Sequence, residues 1–216
     1  MNTGRYLVFE GVVGTGKTTQ SKRLVEALKE RFPEREIIWT REPGGSEIAE
    51  AIRVLVQGTP FTEAMDPICE AYLYASARAQ SLRATVAPVL ARGGVVVADR
   101  SFCTSIAWQG FARGLGLETV LEINKTAVKD VLPDLIIEMD LAPEIGLKRT
   151  FDAKGDKFET MPIEFFQKCV EGYRALSSHE LLQARWKKID GQGTQEEVFA
   201  RVLEIALTSL TDNTAQ

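Results

Sequence analysis

Cysteine and histidine are scarce in this chain of 216 residues. The three cysteines, Cys69, Cys103 and Cys169, are an odd number without C-x-x-C spacing, and His179 is the single histidine. A disulfide framework needs paired cysteines, and a zinc site needs several cysteine or histidine ligands at short spacings. The composition therefore argues against both, and we interpret the cysteines as reduced thiols.

The chain also lacks a run of basic residues and an apolar stretch of membrane-spanning length. Its formal net charge is −4, whereas proteins that bind nucleic acid through its phosphates carry clustered lysines and arginines. The N-terminus leads directly into an apolar run without the pattern of a signal peptide. We therefore expect a cytoplasmic protein whose partners include neither nucleic acid nor a membrane.

What the chain does contain is a series of short apolar runs separated by helical patterns. Such alternation predicts a parallel sheet, and the length, with 44% hydrophobic residues, fits one α/β domain over residues 1–216. The strands are predicted at 6–9, 36–39, 95–98, 135–139 and 186–189. The helices are predicted at 17–32, 46–57, 67–92, 118–131, 143–151, 162–184 and 194–210.

A glycine-rich motif follows the first predicted strand and precedes the first helix. It matches G-x-x-x-x-G-K-[ST], a loop whose backbone N–H groups surround a polyphosphate. In this pattern the lysine reaches the β- and γ-phosphates, and the hydroxyl of the last residue completes a Mg²⁺ shell. The candidate nucleotide-binding residues are Gly11, Val12, Val13, Gly14, Thr15, Gly16, Lys17 and Thr18.

Charged residues follow the other predicted strands, at the edge of the sheet where α/β proteins bind ligands. Asp99 ends the third strand, where a second acidic residue supports Mg²⁺ in phosphate-loop proteins, although it could also cap the next helix. Arg100 beside it suits a phosphate, or an ion pair with Asp99 or Glu42. Either way, charged side chains are predicted at this edge of the sheet.

Tyr74 and Arg78 are four residues apart and share one face of a predicted helix. An aromatic ring and a guanidinium so placed can bind a nucleobase. Taken alone, the same spacing fits a buried tyrosine with the arginine extending to the surface, and that interpretation is favoured without further context.

Two further segments bear on the class of protein. The charged segment 152–157 is either a flap that closes over polyphosphate or a solvated loop. A GTP-binding switch would need N-K-x-D, but the run that begins at Asn124 fails at its fourth position and lies within a predicted helix. Small-molecule phosphotransfer is therefore the predicted chemistry.

The motifs together resemble those of bacterial thymidylate kinases, in the nucleoside monophosphate kinase family. The resemblance extends from Tyr6 to about Leu210 and rests on the phosphate loop after Phe9, TREPGG at 40–45, Asp99-Arg100, and the run Trp108-Gln109-Gly110. It implies the three-layer P-loop kinase fold, a five-stranded parallel sheet flanked by helices with a lid at about 150–160. It also implies a homodimer formed through helices.

The resemblance further implies ATP and dTMP as substrates, with Mg²⁺ held by Thr18 and Asp99. Catalytic roles are implied for Lys17, Arg100, Arg149 and Lys154, and Arg149 also borders the adenine of ATP. The dTMP site is implied to comprise Glu42, Arg53, Tyr74, Arg78, Arg100, Ser105, Trp108 and Gln109. In this set Arg100 holds the phosphate, Tyr74 stacks on thymine, and Trp108 excludes a 2′-hydroxyl by bulk.

Two positions depart from the family pattern. Val13 stands where an acidic residue usually contacts the 3′-hydroxyl of the acceptor sugar, and Lys154 and Lys157 stand where lid arginines are common. A hydrogen bond to a charged group contributes about 1.5–3 kcal/mol, so Val13 predicts weaker dTMP binding or a relaxed need for the 3′-hydroxyl. The alternatives are a kinase for another pyrimidine monophosphate, such as dUMP, and a nucleotide-binding regulator without turnover.

Overall fold

Five parallel strands form the sheet in the computed structural model, which describes residues 3–58, 61–150 and 161–211. The order across the sheet is β2-β3-β1-β4-β5, so the first strand of the chain is central. The predicted parallel sheet is confirmed. The strands are Arg5–Glu10 (β1), Ile37–Arg41 (β2), Val95–Asp99 (β3), Leu135–Asp140 (β4) and Trp186–Asp190 (β5).

Helices connect these strands. Two of the helices continue into π-helical turns, at Leu82–Val86 and Ile106–Ala112, and a short 3-10 turn covers Gln183–Arg185. The α-helices are Lys17–Arg31 (α1), Glu47–Gln57 (α2), Pro67–Ser81 (α3), Ala87–Ala91 (α4), Phe102–Ser105 (α5), Leu117–Val128 (α6), Pro143–Thr150 (α7), Ile163–Ser177 (α8) and Gln195–Thr211 (α9).

Alternate residues of β1 face two separate apolar clusters, because side chains along a strand point to opposite faces. Leu7 and Phe9 pack with residues of α1 and α9 on one face, whereas Tyr6 and Val8 pack with residues of α3, α5 and α8 on the other. Helices therefore cover both faces of the sheet, which confirms the predicted three-layer α/β fold. Such coverage explains the continuous apolar runs in β1, β3 and β4.

The structure corrects three helix predictions and adds one helical segment. The predicted helix 67–92 is interrupted by the π-turn, 118–131 ends at Val128, where Lys129 adopts φ +49°, and 162–184 ends at Ser177. Residues 102–112 were not predicted as helical, because residues 102–110 are all buried, polar and apolar side chains alike, so the segment gives no amphipathic period. The last residue of the predicted helix 143–151, Phe151, lies outside the described residues.

The carboxyl ends of three neighbouring strands meet at one edge of the sheet. Phe9 and Arg41 are both in register with Asp99. Backbone bonds continue beyond the strands, since Arg100 donates to the Phe9 carbonyl at 2.9 Å and Glu42 donates to that of Asp99 at 3.0 Å. The residues after β1, β2 and β3 are thereby fixed beside one another. Among the described residues, no helix combines the length and apolarity needed to cross a membrane.

Candidate active site

The glycine-rich loop joins β1 to α1 and packs tightly against α7. Gly14 has φ +71°, and a Cβ at this position would clash with the carbonyl of Gly146 in α7. Glycine is therefore required both for the backbone angle and for the close approach. The contact also holds α7 beside the loop.

The first helix begins without the caps found on its neighbours. Ser46 caps α2 and Asp66 caps α3 with side-chain oxygens. At α1 the N-cap is Gly16 at φ +86°, and within the described residues no side chain caps its N–H groups. Uncapped N–H groups and the positive end of the helix dipole together attract an anion.

The lysine of the motif is folded onto its own loop. The Lys17 Nζ donates to the Val12 carbonyl at 2.5 Å and to the Thr15 hydroxyl at 3.1 Å. Burial, with a smaller contribution from the positive charge of Arg100, lowers the pKa of Lys17 to about 7. An anionic ligand would supply the counter-charge that this buried ammonium needs.

Thr18 and Asp99 meet across the mouth of the loop. The Thr18 hydroxyl donates to Asp99 Oδ2. The other carboxylate oxygen, Oδ1, is buried and has no hydrogen-bond partner among the described residues. A hydroxyl and an unpartnered carboxylate oxygen at a phosphate site are the oxygen ligands that Mg²⁺ takes, so these two residues fit the predicted metal.

Arg100 is held over the loop in an unusual conformation. Its φ is +75°, in the left-handed region that is rare for residues other than glycine and that is enriched at functional sites. Its Nη1 donates to the Gly11 carbonyl at 3.2 Å and to the Thr104 hydroxyl at 3.1 Å, and its guanidinium lies 4.9 Å from the Trp108 ring centroid. The guanidinium is thereby directed to the same cavity as the loop.

Glu10 holds the segment that follows β3 through hydrogen bonds, a role that sequence analysis did not predict. Its buried carboxylate accepts bonds from the Ser101 N–H at 2.8 Å, the Ser101 hydroxyl at 2.6 Å and the Thr104 hydroxyl at 2.6 Å. Burial raises the pKa of Glu10, and the bonds from Ser101 and Thr104 oppose that rise. The sequence feature that could have indicated this role is a carboxylate at the end of an apolar strand, together with hydroxyl-bearing residues after β3.

Arg78 is buried rather than extended to the surface, so the favoured interpretation of this residue on its own was wrong. Its Nε donates to Glu42 Oε2 at 2.6 Å, and its Nη2 donates to the Ser101 carbonyl and to the Ser105 hydroxyl, both at 3.2 Å. Its Nη1 donates to Asn124 Oδ1. These four bonds take four of the five guanidinium N–H groups, which fixes the plane of the side chain.

Asn124 is a second residue that sequence analysis missed. It lies in α6 on the buried face with Val120 and Ala127, and its Nδ2 donates to the Val120 carbonyl at 2.8 Å. An asparagine within an apolar helical stripe needs a polar partner. That requirement is the signal that could have indicated its contact with Arg78.

The predicted residues largely line one cavity of about 550 Å³. Tyr74 receives a bond from Gln57 Nε2 at 3.4 Å, and Arg53 donates to the Pro43 carbonyl at 2.9 Å. Trp108 is fixed edge-on by Phe165 at a centroid distance of 5.6 Å. The predicted residues that line the cavity are Val13, Gly14, Gly16, Lys17, Thr18, Glu42, Arg53, Tyr74, Arg78, Asp99, Arg100, Ser105, Trp108 and Gln109.

The remaining predicted residues lie elsewhere. Gly11, Val12 and Thr15 form the base of the loop, where the first two contribute the carbonyls already described. Arg149 is exposed near the end of α7 and does not line the cavity. Lys154 and most of the predicted lid fall outside the described residues.

Comparison with known proteins gives a consistent result. The family model described as thymidylate kinase matches residues 9–202. The chain is 38% identical over 205 residues to a thymidylate kinase of Ligilactobacillus salivarius, covering 94% of this chain and 97% of that one. It is 40% identical over 210 residues to one of Geobacillus thermodenitrificans, covering 96% and 91%. The structure of a thymidylate kinase from Ehrlichia chaffeensis matches with a TM-score of 0.75 at 24% identity, covering 94% and 99%.

Proposed function

Because the chain belongs to the thymidylate kinase family, we propose that it transfers the γ-phosphoryl group of ATP to dTMP, giving ADP and dTDP. The observation that carries the proposal is that the phosphate loop, Arg100, Tyr74 and Arg78 line one shared cavity. A donor site and an acceptor site in one cavity allow direct transfer between two bound nucleotides.

On the donor side, the phosphates of ATP would occupy the loop and the uncapped start of α1. Lys17 would leave the Val12 carbonyl and bind the β- and γ-phosphates. Thr18 and Asp99 would hold Mg²⁺, which when bound neutralises charge on the phosphate oxygens. Arg149 and Lys154 are proposed to add positive charge from α7 and the segment after it.

On the acceptor side, Arg100 would bind the phosphate of dTMP, and Tyr74, Arg78, Ser105 and Gln109 would surround the base. Phosphoryl transfer of this kind depends on positioning and on charge stabilisation, so no general base is required. Glu42 and Arg53 would border the site, with Glu42 acting through its ion pair with Arg78.

The proposal is tested by an ADP-release assay with dTMP, dUMP, dCMP and 3′-deoxy-dTMP as acceptors. We expect dTMP to give the highest kcat/KM. A higher value for dUMP would favour a kinase for another pyrimidine monophosphate. ATP binding without ADP release for any acceptor would favour the regulator that lacks turnover.

Val13 makes the 3′-deoxy substrate informative. Its side chain is buried and lines the cavity, at the position where relatives usually present a carboxylate. An aliphatic side chain cannot accept a bond from the 3′-hydroxyl, so dTMP and 3′-deoxy-dTMP are expected to have similar kcat/KM. A strong preference for the 3′-hydroxyl, equal to that of a Val13→Glu variant, would contradict this.

ATP binding is expected to take up a proton at Lys17. With a pKa of about 7 in the free enzyme, the amine is about nine-tenths neutral at pH 8, and the phosphates favour its charged form. Calorimetry at pH 8 in buffers of different ionisation enthalpy should report uptake approaching one proton per ATP. A Lys17→Arg variant, charged at all relevant pH values, should show none; equal uptake in both would contradict the assignment.

The homodimer is also part of the proposal. Large apolar side chains are exposed on α2 and α3: Ile48, Val54, Ile68 and Tyr72 are 40–69% accessible. Exposed apolar side chains on two helices that pack against each other are typical of an interface, and a second copy of the chain is the proposed partner. Sedimentation should show a dimer that dissociates on Tyr72→Glu but not on Leu181→Glu, an exposed apolar residue elsewhere; a monomeric parent would overturn the idea.

The cytoplasm is the proposed location, because ATP is available there and cysteines stay reduced. The three cysteines are free in the structure, with Cys69 exposed. Recovery of the protein in the soluble fraction of lysed cells, and not after osmotic release of the periplasm, would agree with this.

A further inference from the structure

Next to the nucleotide cavity lies an ion pair, between a buried glutamate and a partly exposed arginine, that the proposed chemistry does not use. Glu70 of α3 is 1% exposed and accepts from Arg113 at both carboxylate oxygens, at 3.4 Å and 3.2 Å. It also accepts at 2.9 Å from the amide nitrogen of Gln109. Glu70 lines a second cavity, next to α2 and α3, and Gln109 lines the nucleotide cavity.

This contact determines which way the Gln109 amide is turned. A carboxylate accepts hydrogen bonds and donates none, so the NH₂ group of Gln109 must face Glu70. The amide oxygen is then the end that remains for another partner. That oxygen is buried and has no hydrogen-bond partner among the described residues, and a buried acceptor of this kind calls for a donor.

The bases of the pyrimidine nucleotides differ in whether they supply that donor. Thymine and uracil carry an N3–H, whereas cytosine presents an unprotonated N3 with a lone pair. An amide oxygen directed at N3 bonds the first two and repels the third. If the Gln109 amide were reversed, its NH₂ group could donate to N3 of cytosine, but its oxygen would then face the Glu70 carboxylate and be repelled by it.

Building on the proposed function, we propose that Glu70, held by Arg113, is a positioning residue that locks the Gln109 amide and thereby selects bases with an N3–H donor over cytosine. In this proposal Glu70 does not contact a substrate, and its effect on the base comes from the orientation that it imposes on the Gln109 amide. Sites that require a hydrogen bond from the ligand reject the analogue that lacks it far more strongly than apolar pockets reject a change of size.

The test is the ratio of the Kd of dCMP to the Kd of dUMP, measured by calorimetry. These two ligands have the same sugar and phosphate and differ at positions 3 and 4 of the ring. In a Glu70→Gln variant the new amide can donate as well as accept, so Gln109 is free to reverse. The ratio is expected to fall about tenfold, the effect of one hydrogen bond at a buried polar group.

Three controls separate positioning from a general loss of structure. Glu36→Gln makes the same chemical change at an exposed ion pair with Arg92 and should leave the ratio unchanged. In a Gln109→Leu background, Glu70→Gln should no longer alter the ratio. If Glu70→Gln fails to fold, the Glu70→Gln/Arg113→Met variant leaves no unpaired charge and should show the same fall.

An unchanged ratio in Glu70→Gln, or an equal change in the Gln109→Leu background, would overturn the role of Glu70. Failure of the parent enzyme to turn over dTMP would instead contradict the proposed function. Binding is measured independently of turnover, so the two failures are distinguishable.

Discussion

A Lys17→Ala variant is expected to lose about 10³-fold or more in kcat, because one buried cation at a transferring phosphoryl group contributes on that scale. Lys17 is 6% exposed and donates only within its own loop in the free enzyme. Its charged form is disfavoured there, as the lowered pKa indicates. Removing it should therefore leave the unfolding temperature near that of the parent, as measured by calorimetry beside the ADP-release assay.

The matched control is Lys29→Ala in the same helix. Lys29 is half-exposed and forms an ion pair with Glu26, and such a surface pair contributes little to stability. This variant should keep both turnover and unfolding temperature. Retained phosphoryl transfer in Lys17→Ala, at a rate like that of the control, would rule out the proposed role of the loop.

Replacing Arg78 by methionine is expected to reduce the free energy of unfolding by about 3–5 kcal/mol, because it leaves a buried charge unpaired. The Glu42–Arg78 pair is 2.6 Å long and both side chains are 3% exposed. Burial already raises the pKa of Glu42, and Arg78 opposes that rise. Without Arg78 the folded state binds a proton at Glu42 more tightly than the unfolded chain does, so the loss should grow as the pH rises above the usual pKa of a glutamate.

The double variant Arg78→Met/Glu42→Gln separates stability from substrate binding. It removes the unpaired charge and should recover much of the lost free energy of unfolding. It does not restore the guanidinium that is proposed to bind the base, so kcat/KM for dTMP should stay about 10- to 100-fold low. Full recovery of kcat/KM in the double variant would mean that Arg78 has a structural role alone.

The sequence predicted the parts of the fold that local pattern controls. Continuous apolar runs identified the strands of the parallel sheet, and the glycine-rich motif identified the loop after β1. Because parallel strands end at a common edge, the charged residues after β1, β2 and β3 could be expected at one rim. The structure places Glu42, Asp99 and Arg100 there.

What the sequence could not predict depends on contacts between distant residues. In the helical segment 102–112, residues 102–110 are all buried, so the segment has no amphipathic signature. The burial of Arg78 follows from its partners Glu42, Ser101 and Asn124, which lie 23 to 46 residues away along the chain. The left-handed conformation of Arg100 is likewise imposed by its surroundings and not by its own preference.

The most direct test is a crystal structure of the enzyme with dTMP and a non-hydrolysable ATP analogue bound together. The terminal phosphate of the analogue should contact Lys17, and the phosphate of dTMP should contact Arg100, with an acceptor oxygen about 3–3.5 Å from the terminal phosphorus and in line with it. Two nucleotides bound with their phosphates far apart, or a dTMP phosphate that does not reach Arg100, would contradict the account.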